Sequence, residues 1–170
     1  MDDIVIIDDF LNEEELDYIS SLSTYKDDTW RPHGSCPQGK ELFEDFYTSF
    51  LQKNLMDNEY YTSYLFKKIN KTFNYNYKLA DVYLNGHEAL RHGSFHIDGT
   101  ADRTVILYLT PWNPAWGGFT HFMKSERDHV IIPPILGRLI NFKSDIIHKA
   151  YSFCNQNCPM RITAAFKLTL

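Results

Sequence analysis

The length, composition and charge of the chain indicate one globular domain and exclude several other classes of protein. With 170 residues, of which 44% are hydrophobic and 15% aromatic, the chain can bury a core of its own and is too apolar to be intrinsically disordered. Its formal net charge of -5 at pH 7 argues against a nucleic-acid backbone as the main partner, because domains that bind one usually carry a basic field.

The cysteines and the apolar runs indicate the cellular compartment. Cys36, Cys154 and Cys158 are odd in number and lack a paired spacing, which is typical of a reducing environment rather than of a secreted disulfide framework. The spacing of Cys154 and Cys158 is a weak hint of zinc, and two small residues in a hairpin turn are the preferred explanation. No apolar run approaches the about 18 residues of a membrane span, and the chain opens with Met1-Asp2-Asp3 rather than with basic residues. We therefore expect a cytoplasmic protein without a membrane partner.

The first 75 residues predict a strand followed by helices. Ile4–Ile7 is a β-branched run, and Asn12 precedes three glutamates that favour the start of a helix. Residues 24–38 contain Trp, Pro and Gly without a period and predict a long loop. From 41 to about 73, apolar residues recur every three or four positions, which predicts two amphipathic helices with a break near Asp57-Asn58.

After Asn74 the pattern changes to short apolar runs separated by Gly, Pro and Asn, which predicts strands. The candidate strands cover residues 77–85, 94–98, 103–110, 118–123, 129–132, 137–143, 146–152 and 160–169. Helices followed by many short strands indicate an α+β protein in which N-terminal helices pack on one face of a jelly-roll barrel, a cupin-like double-stranded β-helix. We predict a single domain over residues 1–170, with a supporting part at 1–75 and a jelly-roll core at 76–170.

The triplet His96-Ile97-Asp98 contains the first candidate metal ligands. In a strand, residues i and i+2 point to the same face, so His96 and Asp98 can share one ion. Alone the triplet is a weak signal, because a lone His-x-Asp is more often a surface or capping pair than a pair of metal ligands. His148 strengthens it, since a jelly roll can bring its predicted strand beside His96. Two imidazoles and one carboxylate form the facial triad suited to Fe(II), and a three-ligand zinc site stays a near alternative.

Arg161 is a candidate carboxylate-binding residue on the last predicted strand. The apolar residues at the even positions 162 to 168 should pack on the helices, whereas Arg161, Thr163 and Ala165 should face the inside of the barrel. There an unpaired guanidinium would be costly, and a bidentate carboxylate would satisfy it. The alternative is an arginine at a strand end, half in water.

Several ordered blocks of the sequence resemble the 2-oxoglutarate/Fe(II) oxygenase superfamily, specifically its prolyl 4-hydroxylase-like branch. The resemblance covers roughly residues 78 to 170. Its blocks are DVYLNG at 81–86, HID at 96–98, TVILYL at 104–109, WGGFTHF at 116–122 and PILGRLINF at 134–142, followed by His148. The opening strand, Asp-Phe-Leu and acidic helix are also similar to the opening of family members.

The resemblance implies an enzyme, a dioxygenase that uses Fe(II), 2-oxoglutarate and O2, with ascorbate as a compatible reductant. His96, Asp98 and His148 would bind the iron, and Arg161 would bind the distal carboxylate of 2-oxoglutarate. The implied reaction hydroxylates an unactivated C–H bond and releases succinate and CO2. Within this branch of the family, the favoured substrate is a prolyl residue in a peptide or protein.

The resemblance also gives an interpretation of four single positions. Tyr83 and Asn85 lie where family members contact the co-substrate, although an aromatic residue on such a strand is often core. Asp98 separates the chain from the halogenases of the superfamily, which lack this carboxylate. Phe119 departs from the family pattern, because an acidic residue is common at that position.

Two alternatives to prolyl hydroxylation stay open at this point. The chain could oxidise a free small molecule or a nucleobase, or it could be a catalytically silent cupin-like binding module. Loops 24–38 and 86–95 adjoin the predicted metal strand, and we expect them to close as lids over an extended peptide. The residues within them that are suited to gripping such a peptide are Trp30, Pro32, His33, His92 and Phe95. The other histidines, for which we expect solvated or structural roles, are His33, His87, His92, His121 and His129.

Overall fold

Ten strands are the main secondary structure in the part of the chain that the computed structural model describes, which is residues 3–22, 28–34 and 49–170. In chain order they are β1 (Ile4–Ile7), β2 (Arg31–Gly34), β3 (Ser49–Asn54), β4 (Lys78–His87), β5 (Arg103–Tyr108), β6 (Thr120–Met123), β7 (His129–Ile132), β8 (Leu139–Lys143), β9 (Ile147–Ala150) and β10 (Arg161–Thr169). The helices are α1 (Glu13–Leu22) and α2 (Phe66–Phe73), the second of which continues a π-helical segment over Tyr60–Leu65. A 3₁₀ turn spans Pro114–Trp116.

The strands form two antiparallel sheets with a cavity between them. The larger sheet has the order β1-β8-β5-β10-β4-β3-β2, and the smaller has the order β7-β6-β9. Residues of β4, β5 and β10 line the cavity from one side, and residues of β6 and β9 line it from the other. This arrangement confirms the predicted jelly-roll barrel.

The helices cover the outer face of the larger sheet. Ile19 of α1 and Ile69 of α2 belong to the same apolar cluster as Val82 of β4 and Phe166 of β10, and all four are almost fully buried. The α+β class with helices on one face of the barrel is therefore confirmed. Removing this much apolar surface from water is the main stabilising contribution that the sequence offers.

The N-terminal strand and helix form as predicted. Asn12 Oδ1 accepts the backbone N–H of Glu15, and the Glu15 carboxylate accepts the backbone N–H of Asn12, each at 2.8 Å. This reciprocal pair is a capping box, which fixes the start of α1. β1 pairs with β8 in the register Ile4 to Phe142, so the N-terminal part of the chain joins the barrel sheet directly.

The predicted helix over the first half of 41–73 is wrong where the structure describes it. Ser49–Asn54 is strand β3, which pairs with β2 on one side and β4 on the other; residues 41–48 lie outside the described residues. Pairing on both edges outweighs the local helical period. The second predicted helix is confirmed, with π-helical and α-helical parts that follow the predicted break at Asp57-Asn58.

Two other predicted segments differ from the structure. The predicted loop 24–38 contains strand β2 at Arg31–Gly34, while residues 24–27 and 35–38 lie outside the described residues. The predicted strand 94–98 is reduced to one bridge, in which the backbones of His96 and His148 exchange two hydrogen bonds of 3.0 and 2.9 Å. The N–H of Asp98 then donates to the turn carbonyl of Ser144, so the ladder ends there. The remaining predicted strands all form, with ends that coincide or are displaced by one or two residues.

The length of the helices bears on membrane association. Over the described ranges, none is long and apolar enough to cross a bilayer.

Candidate active site

Alternate residues of strand β10 face the cavity and the apolar core. Ala164, Phe166 and Leu168 are buried in the cluster shared with the helices. Arg161, Thr163, Ala165 and Lys167 line the cavity instead. The two-residue period of a strand accounts for this division, and the predicted orientation of Arg161 into the barrel is what the structure shows.

The cavity brings together the three predicted metal ligands. Donor atoms of His96, Asp98 and His148 all lie within 4.8 Å of one another. Nε2 of His96 is 3.5 Å from Oδ1 of Asp98, and Nε2 of His148 is 3.6 Å from Oδ2 of the same carboxylate. Two imidazole nitrogens and one carboxylate on one side of a cavity are the donor set of a facial triad.

Backbone hydrogen bonds orient both imidazoles for metal binding. Nδ1 of His96 lies 2.8 Å from the carbonyl of Ser94, and Nδ1 of His148 lies 2.9 Å from the carbonyl of Ile146. A carbonyl can only accept, so each Nδ1 carries the proton and each Nε2 presents its lone pair to the cavity. The residues therefore fit a divalent ion with nitrogen and oxygen ligands.

The ionisation states of two ligands also favour a metal. Burial lowers the pKa of His148 to about 4, although Asp98 pulls it the other way. Burial opposes the ionisation of Asp98, but His148, His96 and Lys167 outweigh it and hold the pKa of that carboxyl well below its usual range. At neutral pH the site therefore offers a neutral His148 imidazole and a carboxylate, as metal binding requires.

A polar network holds the Asp98 carboxylate. Thr104 Oγ1 donates to Oδ2 of Asp98 at 2.6 Å and lies 3.0 Å from the hydroxyl of Ser144. Lys167 Nζ lies 2.5 Å from the same Oδ2. Outer groups of this kind fix the direction of a ligand carboxylate. Neither Thr104 nor Lys167 was among the predicted site residues.

Arg161 lies at another part of the cavity, fully buried. Its Nε donates to the carbonyl of Gly118 at 2.8 Å, and Nη2 donates to Oγ1 of Thr120 at 2.9 Å. The guanidinium carbon is 5.3 Å from the centre of the Tyr108 ring, and the Tyr108 hydroxyl lies 2.6 Å from Thr120 Oγ1. Among the described residues no carboxylate forms an ion pair with Arg161, so this cation is available to an anionic ligand. The alternative of an arginine half in water is wrong, since Arg161 is only 1% exposed.

Gly118 makes this arrangement possible. It has a φ of +79°, and a Cβ placed on it would lie 2.5 Å from the ring of Phe153. Any other residue would therefore meet both backbone strain and a steric clash. Gly117-Gly118, part of the block that resembles the family, thus provides the backbone carbonyl to which Arg161 donates.

Tyr83 and Asn85 also face the cavity, as predicted, and their contact with a co-substrate stays a prediction. The Tyr83 ring packs against Lys167, whose Nζ is 5.8 Å from the ring centre. Asn85 accepts a 3.3 Å hydrogen bond from the side chain of Gln52 on β3. The cavity has a volume of about 390 Å³, enough for a small co-substrate and part of a larger substrate.

His87, for which the sequence predicts a solvated or structural role, lines the cavity. It ends β4, is almost fully buried, and stacks on Phe50 with ring centres 4.7 Å apart. Its Nδ1 lies 3.1 Å from the carbonyl of Arg91. Burial, aided by Arg161, lowers the pKa of His87 to about 3, so it is neutral inside the barrel. The sequence signal that could have placed His87 in the cavity was the two-residue period of β4, which continues from Tyr83 through Asn85 to His87.

The remaining histidines and the proposed gripping residues mostly lie elsewhere. Of Trp30, Pro32, His33, His92 and Phe95, only His33 is among the residues that line the cavity. Trp30 is buried in the cluster on the helix side. His92 accepts the backbone N–H of Ser152 at 3.1 Å, and His121 and His129 pair with each other on the surface at 2.8 Å.

The cysteines in the loop before β10 do not form a metal site with neighbouring ligands. Cys154 and Cys158 are both free thiols, and the group of potential ligands found in the described residues is His96, Asp98 and His148. The backbone N–H of Cys158 donates to the carbonyl of Asn155 within a turn. The expected hairpin is wrong, because β9 and β10 on either side of this turn belong to different sheets. Cys36 lies outside the described residues.

Comparison with known proteins identifies the fold. No protein-family model and no curated protein sequence matches the chain. A protein of the 2OG-Fe(II) oxygenase family from Burkholderia pseudomallei superposes with a TM-score of 0.75 at 12% identity, over 98% of this chain and 85% of its own. A prolyl hydroxylase from Trichoplax adhaerens, in complex with a hypoxia-inducible-factor peptide, gives a TM-score of 0.75 at 18% identity, over 98% and 83%.

A third solved structure widens the range of chemistry found on this fold. The non-haem α-ketoglutarate-dependent carbocyclase SnoK from nogalamycin biosynthesis superposes with a TM-score of 0.69 at 12% identity, over 98% of this chain and 80% of its own. At these identities the likeness is one of fold. The chain therefore has the fold of 2OG-Fe(II) oxygenases, prolyl hydroxylases included, and the resemblance seen in the sequence is confirmed at that level.

Proposed function

We propose that this protein is a dioxygenase dependent on Fe(II) and 2-oxoglutarate. One observation carries the proposal: a single cavity contains a triad of two imidazoles and one carboxylate together with Arg161, a buried cation without a carboxylate partner among the described residues. The triad supplies ligands for an open-sided metal, and the guanidinium supplies a site for a carboxylate. A silent binding module would have no physical need for both.

The residues have distinct tasks in this proposal. Fe(II) would be held by His96, Asp98 and His148, and the distal carboxylate of 2-oxoglutarate would be held by Arg161, with Tyr83 and Asn85 as further cavity contacts. When bound, iron and 2-oxoglutarate supply the oxidation of a C–H bond by O2 to an alcohol, with release of succinate and CO2. The side chains bind, orient and keep water away, which the burial of Arg161 and His148 supports. We include ascorbate in the proposal only as a reductant that can be added to the reaction.

Anaerobic titration tests the enzyme class. Addition of 2-oxoglutarate to the Fe(II)-loaded protein should produce the visible charge-transfer absorption of a chelated iron site, and admission of O2 should release succinate. A zinc enzyme or a silent module would show neither signal. If Fe(II) binds but 2-oxoglutarate produces no absorption change, the proposed co-substrate is wrong.

For the substrate, we propose a prolyl residue in a peptide or protein as the first candidate. The support is the family resemblance of the sequence and the fold shared with the peptide-bound prolyl hydroxylase from Trichoplax adhaerens. The loaded enzyme should be incubated with proline-rich peptides and the products examined by mass spectrometry for the gain of one oxygen on proline. Succinate release without any modified peptide would argue against this candidate.

A free small molecule is the second candidate, and a specific observation favours it. Of the five residues expected to grip an extended peptide, four are not among the residues that line the cavity, and the fold is shared with a small-molecule carbocyclase. A parallel panel of free amino acids, other small acids and nucleosides should therefore accompany the peptides. Oxidation of one of these compounds, with none of a peptide, would select this alternative.

A further inference from the structure

A second buried cation, Lys167, lies in the cavity beside the triad. It faces the same side of β10 as Arg161, and its side chain is 13% exposed. Its Nζ lies 2.5 Å from Oδ2 of Asp98 and donates to Oγ1 of Thr104 at 3.3 Å. The hydrogen bonds of Arg161, by contrast, go to the turn before β6 and to β6 itself. The two cations therefore serve different parts of the cavity.

The charged side chains that line the cavity, counted over the described residues, have a net positive charge. Arg161 and Lys167 are cations, and Asp98 is the carboxylate among the described residues that line it, so the lining carries one net positive charge. Fe(II) and doubly charged 2-oxoglutarate would cancel each other, and the excess would persist in the loaded protein. A buried, uncompensated charge is costly. The site is therefore electrostatically complementary to one more anion.

Asp81 attracts the Lys167 ammonium and opposes the lowering of its pKa by burial, but it offsets the positive excess only in part. It lies opposite Lys167 in the register of β4 and β10, but it is not among the cavity-lining residues and is partly exposed. Water screens a partly exposed charge. Its side chain also accepts the backbone N–H of Val82 at 2.8 Å.

We propose that Lys167 binds a carboxylate of the primary substrate and thereby places the neighbouring C–H bond beside the triad. The inference rests on the proposed function and specifies its substrate class, a compound with a carboxylate close to the carbon that is oxidised. A lysine ammonium has three N–H donors, and the structure gives Lys167 two oxygen contacts, to Asp98 and to Thr104. The carboxylate can belong to a free acid or to an acidic side chain next to the target residue of a peptide.

A purely supporting role is the competing explanation. Lys167 could serve only to hold Asp98, as Thr104 does. Such a role predicts weaker metal binding in a Lys167 variant but no change in the preference between charged and neutral ligands. The two explanations therefore differ in a quantity that can be measured without turnover.

The experiment compares matched ligands that differ only in charge. Protein saturated with Mn(II) and 2-oxoglutarate is titrated calorimetrically with N-acetyl-proline and its amide, and with a capped Glu-Pro peptide and its Gln-Pro counterpart. Saturating 2-oxoglutarate keeps Arg161 occupied. The proteins are the wild type, Lys167→Met, Lys167→Arg and Thr104→Val, with Lys143→Met as a surface control, because Lys143 pairs with Asp3 at 2.8 Å outside the cavity.

In the wild type, one carboxylate ligand should bind about tenfold or more tightly than its neutral counterpart, the usual effect of a charge-assisted contact. The preference should vanish in Lys167→Met and persist in Lys167→Arg, Thr104→Val and Lys143→Met. The pair that shows it identifies the source, a free acid or an acidic peptide. Equal binding within both pairs, absence of binding by either carboxylate, or a preference that survives in Lys167→Met would each overturn the proposal.

This result is separable from the test of the proposed function. Fe(II) and 2-oxoglutarate should give charge-transfer absorption in the wild type whether or not the carboxylate site exists. Absorption together with equal binding of charged and neutral ligands would overturn the carboxylate site alone. Lack of the absorption would overturn the enzyme class instead.

Discussion

Backbone carbonyls, rather than side chains, orient both imidazoles of the triad. The carbonyls of Ser94 and Ile146 hold the Nδ1 atoms, and the backbones of His96 and His148 are themselves bridged. The orienting groups therefore stay in place when one imidazole is removed. His96 is also the less buried of the two, with 27% of its side chain exposed against 5% for His148. Its loss should affect the metal far more than the fold.

His96→Ala should abolish metal-dependent turnover while the protein remains folded. Loss of an outer-shell partner costs about 10- to 100-fold in metal affinity, and loss of a ligand should cost more. Mn(II) affinity by electron paramagnetic resonance and thermal unfolding by circular dichroism measure the two effects. His129→Ala, an exposed histidine outside the cavity, is the control and should bind Mn(II) as the wild type does. An unchanged Mn(II) affinity in His96→Ala would contradict the assignment.

Arg161 should determine co-substrate affinity rather than metal affinity, because its contacts lie apart from those of the triad. Arg161→Ala should raise the apparent constant for 2-oxoglutarate about 10- to 100-fold, as expected for one charge-assisted contact. Arg161→Lys should recover part of this loss, since it restores a point charge without the fork of donors. It also serves as the informative variant if the alanine protein is unstable. Titration of the charge-transfer absorption gives the constants, and unchanged values in both variants would disprove the role.

At the scale of the element, the turn before β6 contains the Gly118 carbonyl to which Arg161 donates, so we expect this turn to position Arg161. Gly117 and Gly118 both have positive φ angles, +69° and +79°, but only Gly118 is crowded. Open space surrounds a Cβ on Gly117, whereas one on Gly118 meets the Phe153 ring. Substitution of the two glycines therefore separates backbone strain from displacement of the carbonyl that Arg161 binds.

Both Gly117→Ala and Gly118→Ala should lower the stability of the protein by about 1 kcal/mol or more, because alanine is strained at positive φ. Only Gly118→Ala should also weaken 2-oxoglutarate binding severalfold, since Phe153 or the Gly118 carbonyl must move. Urea denaturation and co-substrate titration of both variants measure these effects. Equal co-substrate affinity in the two variants would show that the turn does not position Arg161.

The strands after residue 76 were predictable because the alternation of apolar and polar residues within each strand is a local pattern. In β10, alternation alone separates the residues that pack on the helices from Arg161 and Thr163. Lys167 was not predicted, although the same alternation, continued two residues beyond Ala165, places it on the cavity face. Thr104 was missed for another reason: its hydroxyl contacts Asp98 only after β5 is placed beside the triad.

At the scale of the whole molecule, pairings between distant residues could not be read from the sequence. β1 joins β8 across more than half the chain, and β2 and β3 extend the sheet beyond β4. A local helical period over 49–54 gave no sign of partners on both edges. The sequence predicted only that His96 and His148 lie close together. The structure shows that their backbones form a single isolated bridge and that the segment of His96 is not a strand.

The final prediction concerns the stability of the metal-free protein in acid, which His87 should limit. Its folded-state pKa is about 3, below the ordinary value of 6.5, because it is buried. As the pH falls, the unfolded chain therefore takes up the proton first, so the stability is complete above pH 6.5 and is lost progressively toward pH 3. His148, with a pKa of about 4, acts in the same direction.

Between pH 7 and pH 5, the His87 contribution to the free energy of unfolding should fall by about 1–2 kcal/mol. His87→Gln removes the titrating group and keeps an amide donor for the Arg91 carbonyl. Between pH 7 and pH 5, its free energy of unfolding should therefore fall by about 1–2 kcal/mol less than that of the wild type. Urea denaturation of both metal-free proteins at the two pH values measures the difference. His129→Gln, a surface variant, should follow the wild type. Parallel losses in His87→Gln and the wild type would mean that His87 is not held neutral by burial in the barrel.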